Sequence, residues 1–181
     1  MSRLNAAQER TNAKLKYAAI HLDDLRLRRA LCGPQVGNWE RAHQESFLFH
    51  LLGVRDALLQ EINLYHGCGL KMKNVSIARI SQRLVRNGAV SKALRTLMRM
   101  EGMKSSWLSV AKRLRNTSTH QRNVPRQLVV DGANNDPQFF CDPLTGKWIE
   151  IDCIELFSHW HAKATKLVKN LRDKMPGAEN G

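Results

Sequence analysis

The sequence lacks any long hydrophobic run. Its longest apolar stretch, from Phe47 to Val54, is interrupted by His50. A membrane-spanning helix needs about 20 mostly apolar residues, so no contact with the membrane core is expected. The N-terminus, Met1 to Asn5, also lacks the apolar core of a signal peptide, and we therefore expect a cytoplasmic protein.

Cysteine is scarce as well, and Cys32, Cys68, Cys141 and Cys153 show neither a CxxC pair nor a zinc-finger spacing. This pattern predicts reduced, mostly buried thiols rather than disulfides or metal ligands. His159 and His161 lie close to Cys153 in a predicted helix, but side chains at i and i+2 diverge. The sequence thus predicts no metal and no cofactor.

Acidic residues are in the minority. The 181 residues include 29 Lys and Arg against 16 Asp and Glu, which gives a formal net charge of +13. Most of the excess lies in residues 67–122, where thirteen basic side chains accompany one acidic side chain. Such a local concentration predicts a surface for a polyanion, RNA or DNA. The alternative is a solvated basic face that only keeps the protein soluble.

Apolar residues recur at helical spacing over most of the chain, which predicts a mainly α fold: an antiparallel bundle of about five helices. Helical stretches are predicted at about residues 3–31, 39–66, 76–86, 90–101, 107–114 and 153–174. The second stretch is the most apolar, so we expect it at the centre. In the fourth, we expect Leu94, Leu97 and Met98 to face inward.

Three short β-prone runs come before the last predicted helix: Gln127–Asp131, Gln138–Asp142 and Lys147–Ile151. Turn sequences rich in Gly, Asn, Asp and Pro separate them. They predict a small β-meander inserted at about residues 126–151. We expect one domain over residues 1–175, followed by a frayed tail at residues 176–181.

The end of the basic region carries the one constellation that suggests chemistry, Arg115-Asn116-Thr-Ser-Thr-His120. Histidine can act as a general acid or base near neutral pH, and arginine can bind a phosphate bidentately. An Arg and a His separated by four to six residues arise by chance roughly twice in this composition, but requiring Asn after the Arg and four intervening residues lowers that expectation to about 0.04. On an ideal helix Arg115 and His120 would lie about 140° apart, and they could converge if the turn between them loosens.

These residues resemble the R-x4–6-H motif of HEPN domains, small helical bundles of which many members are metal-independent endoribonucleases. The resemblance implies that Arg115, Asn116 and His120 are catalytic, that RNA is the substrate, and that a homodimer brings two motifs to one groove. It also implies a role as a bacterial toxin or phage-defence effector with a neutralising antitoxin partner. The β-prone insertion departs from the family pattern, as does Gln121-Arg122 where some toxin members have His-x-Tyr.

Two further groups of residues accompany the motif. Arg55 and Asp56 interrupt the most apolar helix, and they either pair structurally or support the His120 site. The candidates to hold an RNA backbone share a basic side chain within or just after the predicted basic helices. They are Arg79, Arg83, Arg86, Lys92, Arg95, Arg99, Lys112, Arg113 and Arg122.

Two alternatives use the same basic region without catalysis. Residues 76–101 can form a helix-turn-helix with Gly88 in the turn, which would make the protein a DNA-binding regulator. Leu84 and Asn87 fit that motif poorly, because the tight crossing usually takes a small residue at the first position and an apolar one at the second. The other alternative is a catalytically silent RNA-binding helical module.

Overall fold

A computed structural model describes residues 2–32, 37–120, 126–128 and 137–175, without the side chains of residues 119, 120, 127 and 128. The elements are α1 (Arg3–Cys32), α2 (Asn38–Tyr65), a 3-10 turn (Met72–Asn74), α3 (Ile77–Arg86), α4 (Lys92–Gly102), α5 (Trp107–His120), β1 (Arg126–Leu128), β2 (Gln138–Cys141), β3 (Trp148–Ile149) and α6 (Cys153–Arg172). The prediction of a mainly helical fold with a small sheet before the last helix is confirmed, with six α-helices in the described part. None of the described helices is long and apolar enough to cross a bilayer.

The two longest helices, α1 and α2, form an antiparallel pair. Thr11 near the start of α1 donates a hydrogen bond to Glu61 near the end of α2, whereas Arg29 at the end of α1 lies 3.6 Å from Glu40 at the start of α2. Every third or fourth residue of α1 is buried against this partner, as Ala18, Leu22 and Leu25 show.

Helix α2 lies at the centre of the core, as its apolar sequence predicts. Phe47, Leu51, Leu58 and Ile62 are fully buried along it. The Phe47 ring stacks on Phe157 of α6 with 4.2 Å between centroids. Helix α2 is therefore covered by α1, α5 and α6, and most of its buried residues are apolar.

The sheet is antiparallel in the order β1-β2-β3, with Arg126 opposite Phe140 and Phe140 opposite Ile149. Phe140 is buried and lies 5.6 Å from the Phe157 ring, which places β2 against α6. The predicted third run ends earlier than expected because Asp152 caps α6: its carboxylate accepts from the backbone N–H of Ile154 at 2.9 Å. Residues 129–131 of the predicted first run, and the tail at 176–181, lie outside the described residues.

The prediction that Met98 of α4 faces inward is wrong. Met98 is 45% exposed, whereas Ala93, Leu94 and Leu97 are buried. Helix α4 is short and meets its neighbours along a narrow stripe, and Met98 lies at the edge of that stripe, where its sulfur is 3.8 Å from the Ser81 hydroxyl of α3. The core side of α4 therefore includes Ala93, a small residue that hydrophobicity alone does not identify as buried.

A buried ion pair joins α2 to α6. The Glu61 side chain on α2 is fully buried, and Arg172 on α6 donates to both of its oxygens at 3.0 Å. Arg172 also donates to the Asn12 side chain and to the Gln8 carbonyl of α1. Three helices thus meet at one guanidinium.

Candidate active site and nucleic-acid interface

Helix α5 holds the candidate motif, and its start is fixed by serine side chains. The Ser106 hydroxyl accepts from the backbone N–H of Ser109 at 3.1 Å and donates to the Met100 carbonyl. Leu108, Ala111 and Leu114 then form a buried stripe that seats α5 on the core. The helix therefore starts at Trp107, as the predicted stretch at residues 107–114 does, and the register of every later residue in α5 follows from this start.

The prediction that this helix ends at about residue 114 is wrong, because α5 is continuous through the motif. Arg115 is partly exposed and Asn116 exposed, and the backbone remains helical to His120, whose side chain lies outside the described part. Five helical residues turn through about 140° and rise about 7.5 Å. Positions 116 and 120 share a face of α5, whereas position 115 lies on another. No loosened turn brings positions 115 and 120 together within this stretch of described backbone.

Arg115 borders a cleft of about 410 Å³ between α1, α2 and α5. The cleft is also lined by Arg10 and Lys14 of α1 and by Phe49 and Asp56 of α2. Three cationic side chains against one carboxylate give this cleft a local excess of positive charge, which suits a phosphate group.

The close approach of Lys14 to α2 depends on a glycine. A Cβ atom at Gly53 would lie 3.0 Å from Cδ of Lys14, so a larger residue would push the lysine stem away. The Lys14 ammonium then lies 5.0 Å from the centre of the Phe49 ring and 3.5 Å from Nδ1 of His50. The lysine is thereby held at the wall of the cleft.

A second cleft, of about 560 Å³, lies on the other side of Arg115 and Phe49. Glu45, Ser46 and Ser118 line it. Phe49 is 52% exposed between the two clefts, and an exposed aromatic ring beside a cationic cleft can stack on a base. Phe49 is not among the site residues that the sequence predicts; the sequence signal for it is that it falls off the buried stripe of Phe47, Leu51 and Leu58.

The predicted RNA-binding residues of α3 and α4 form one group of exposed cations. Ser76 and Ser91 cap these helices and set their register, since each hydroxyl accepts from the backbone N–H three residues on. The exposed members are Arg79, Arg83 and Arg86 on α3 and Lys92, Arg95 and Arg99 on α4, which we call the α3–α4 basic face. Exposure leaves these side chains accessible to a polyanion.

The remaining predicted RNA-binding residues lie elsewhere. Lys112 is exposed on α5, 3.7 Å from Glu101. Arg113 donates to both oxygens of Asp142, at 2.9 and 2.8 Å, and to the Lys104 carbonyl. It therefore holds the turn between β2 and β3 against α5. Arg122 lies outside the described residues.

Arg55 and Asp56 pair with each other at 2.7 Å, and Arg55 also donates to Glu101 at 2.5 Å. This contact ties α2 to the end of α4, as the structural interpretation of the pair requires. Asp56 nevertheless lines the 410 Å³ cleft beside Arg115. The pair thus connects the core to the wall of that cleft.

Cys153, His159 and His161 do not converge. His161 lies 3.1 Å from the Leu15 carbonyl of α1, and His159 lies on the exposed side of α6 beside Glu155. Burial raises the pKa of the Cys153 thiol to about 12, so the thiol stays protonated. Two of the four free cysteines are buried, whereas Cys32 is exposed and Cys141 partly so.

The Arg113–Asp142 contact predicts a pH-dependent stability. Hydrogen bonds from the Arg113 guanidinium hold the pKa of Asp142 below its ordinary value. Its contribution to stability is therefore complete above the unfolded pKa of about 3.9 and is lost as the pH falls through the lower folded value. We expect Asp142→Asn to lose about 1–3 kcal/mol of unfolding free energy at pH 7, and progressively less below about pH 4.

Urea unfolding of both proteins from pH 7 to pH 3 measures this difference. Asp23→Asn is the matched control, because Asp23 forms an exposed pair with Arg26 on α1. A stability difference for Asp142→Asn that stays constant down to pH 3 would contradict the account.

Comparisons with protein-family models, with curated proteins and with solved structures found no match for this chain. The resemblance to HEPN domains therefore rests on Arg115, Asn116 and His120 and on the order of the helices.

Proposed function

We propose that this protein is a metal-independent endoribonuclease that uses Arg115, Asn116 and His120. The observation that carries the proposal is the position of Arg115 between two clefts, with Lys14 and the exposed Phe49 beside it. A guanidinium and an ammonium there can bind a phosphate, and the Phe49 ring can stack on a neighbouring base. RNA supplies both the phosphate and the base.

The proposed reaction is attack of the ribose 2′-oxygen on the adjacent phosphorus. His120 takes the 2′-hydroxyl proton, or donates a proton to the leaving 5′-oxygen, and Arg115 stabilises the charge on the phosphate. Asn116 orients one of these groups. The P–O5′ bond breaks as the P–O2′ bond forms, which leaves a 2′,3′-cyclic phosphate and a 5′-hydroxyl.

The proposal includes a homodimer. Positions 115 and 120 are about 140° apart on α5, so one copy does not direct both side chains to one phosphate by helix geometry alone. A second copy with its α5 beside the first would supply the complementary residue. Two histidines would then be available, one as base and one as acid.

The experiment for the reaction class uses an RNA oligonucleotide and a matched one in which the nucleotide at the cleaved bond is 2′-deoxy. The expected result is cleavage of the first in EDTA, with a 2′,3′-cyclic phosphate end, and no cleavage of the second at that bond. Cleavage of the 2′-deoxy substrate, or cleavage only with added Mg²⁺, would overturn the proposed chemistry.

The second candidate function is nucleic-acid binding without catalysis, and the α3–α4 basic face favours it. Six exposed cations on two capped helices suffice to bind a polyanion. If the partner is a DNA duplex rather than RNA, the helix-turn-helix alternative applies. Tight binding without cleavage would select this candidate.

For either function, we expect Arg83→Ala/Arg86→Ala to weaken RNA binding and to lower its salt dependence. Each lost phosphate contact should reduce the slope of log K against log salt by about 0.7 for single strands. Fluorescence anisotropy over a salt series measures this slope. Lys163→Ala/Lys166→Ala removes the same charge from α6 and is the control. Equal slopes in both double variants would show that the α3–α4 basic face makes no specific contribution.

A further inference from the structure

Three metal-ligating side chains converge between α1 and α2. His21 and Asp24 lie one turn apart on α1, and His43 lies opposite them on α2. Nδ1 of His21 is 3.3 Å from Nδ1 of His43, and Nδ1 of His43 is 3.5 Å from Oδ2 of Asp24. The three ligand atoms all lie within 4.8 Å of one another.

Two of the three spacings match those in a tetrahedral metal centre. Zinc binds imidazole nitrogen at about 2.0–2.1 Å and carboxylate oxygen at about 2.0–2.2 Å, so two ligand atoms at a tetrahedral angle are about 3.3–3.5 Å apart. The His21–His43 and His43–Asp24 distances lie in that range. The ligand atoms of the third pair, His21 and Asp24, lie within 4.8 Å of each other.

Hydrogen bonds among the three side chains explain their close approach less well than a bound cation does. Nδ1 of His43 faces both another imidazole nitrogen and a carboxylate oxygen. If it carries a proton and donates it to Asp24, it cannot accept from His21; if it accepts from His21, it has no proton for Asp24. A cation serves all three atoms at once.

Aromatic neighbours hold both rings in place. Trp39 stacks on His43 with 3.9 Å between centroids, and His50 stacks on His21 with the planes 9° apart. A cavity of about 220 Å³ lined by Tyr17, Ile20, His21 and His50 adjoins the cluster. A zinc site with three protein ligands takes a water molecule as its fourth ligand.

We propose that His21, Asp24 and His43 bind one zinc-type divalent transition-metal ion that joins α1 to α2. None of the three lines the clefts beside Arg115, so the ion takes no part in the proposed RNA cleavage. The sequence predicts no metal because spacing along one helix does not connect His43 with His21 and Asp24. The pairing of His21 with His43 requires the register of two helices.

Isothermal titration of the tag-free protein with ZnCl₂ tests the proposal, with MgCl₂ as the hard-cation comparison. The expected result is one zinc per chain and no comparable magnesium binding. Asp24→Asn and His43→Asn should weaken zinc binding by at least the roughly 10–100-fold that loss of a supporting residue costs. His159→Asn, which removes an exposed histidine of α6, should leave it unchanged.

Asp24 is partly exposed, so Asp24→Asn should fold even if His43→Asn does not. X-ray absorption of the zinc-loaded native protein is a second measurement that needs no variant. It should show only nitrogen and oxygen neighbours. A sulfur ligand, which would point to the exposed Cys32, or zinc binding that is unaffected by Asp24→Asn, would overturn the proposal.

Discussion

Replacing His120 by alanine is expected to slow RNA cleavage by roughly 10²–10⁴-fold, the range that a general acid or base contributes. RNA binding should change little, because the α3–α4 basic face and the cationic cleft of Arg10, Lys14 and Arg115 remain. Single-turnover cleavage with protein in excess separates the chemical step from binding.

The control for His120→Ala is His159→Ala on α6. It removes another histidine without touching α5 or either cleft, so its cleavage rate should equal that of the native protein. A similar loss in both variants would attribute the effect to general perturbation or to a contaminating nuclease rather than to the motif.

Replacing Arg172 by alanine is expected to lower the free energy of unfolding by about 3–5 kcal/mol. The substitution leaves the carboxylate of Glu61 buried without its charged partner, although the Thr11 hydroxyl still donates to it. The cost comes mainly from the unpaired charge of Glu61, because its side chain is fully buried. Urea unfolding at pH 7 measures the change.

Two further variants decide whether the buried charge is the cause. Asp23→Ala breaks an exposed pair with Arg26 and should cost no more than about 1 kcal/mol. The double variant Glu61→Leu/Arg172→Met removes both charges and should recover most of the stability lost in Arg172→Ala. If the double variant is less stable than Arg172→Ala, the explanation by an uncompensated charge is wrong.

The helix boundaries were largely predictable from the sequence because local signals mark them. Ser76 and Ser91 sit where side-chain caps are needed, and Gly88, with φ of +63°, follows α3 in the left-handed conformation that glycine favours. The central position of α2 followed from its apolar content. These features depend on residues within one or two turns of each other.

The residues that line the clefts and those of the histidine cluster could not be predicted from local sequence signals. The His21–His43 contact joins two helices, and its residues are 22 positions apart. The bidentate pairing of Arg113 with Asp142 depends on where the β2–β3 turn packs. Composition marked Arg113 as one more basic residue, whereas its partner is set by tertiary packing.

The Arg115–His120 motif shows the same difference between what local sequence signals predict and what tertiary packing determines. The sequence identifies Arg115, Asn116 and His120, but it predicts that the helix ends at about residue 114, whereas α5 continues to His120. The cleft beside Arg115 requires Lys14 from α1 and Phe49 from α2, which no local pattern connects to α5. The proposed second copy could not be predicted either, because the periodicity of apolar residues indicates only the fold of one chain.

The central claim is that Arg115 acts on the scissile phosphate of RNA. Its most direct test is single-turnover cleavage in EDTA by the native protein, Arg115→Ala and the α4 control Arg95→Ala, each at a concentration that saturates RNA binding. The account predicts cleavage by the native protein and the control, and a rate roughly 10²–10³-fold lower for Arg115→Ala, as for loss of a group that stabilises developing charge. Equal rates in all three proteins, or no cleavage by the native protein despite saturated binding, would contradict it.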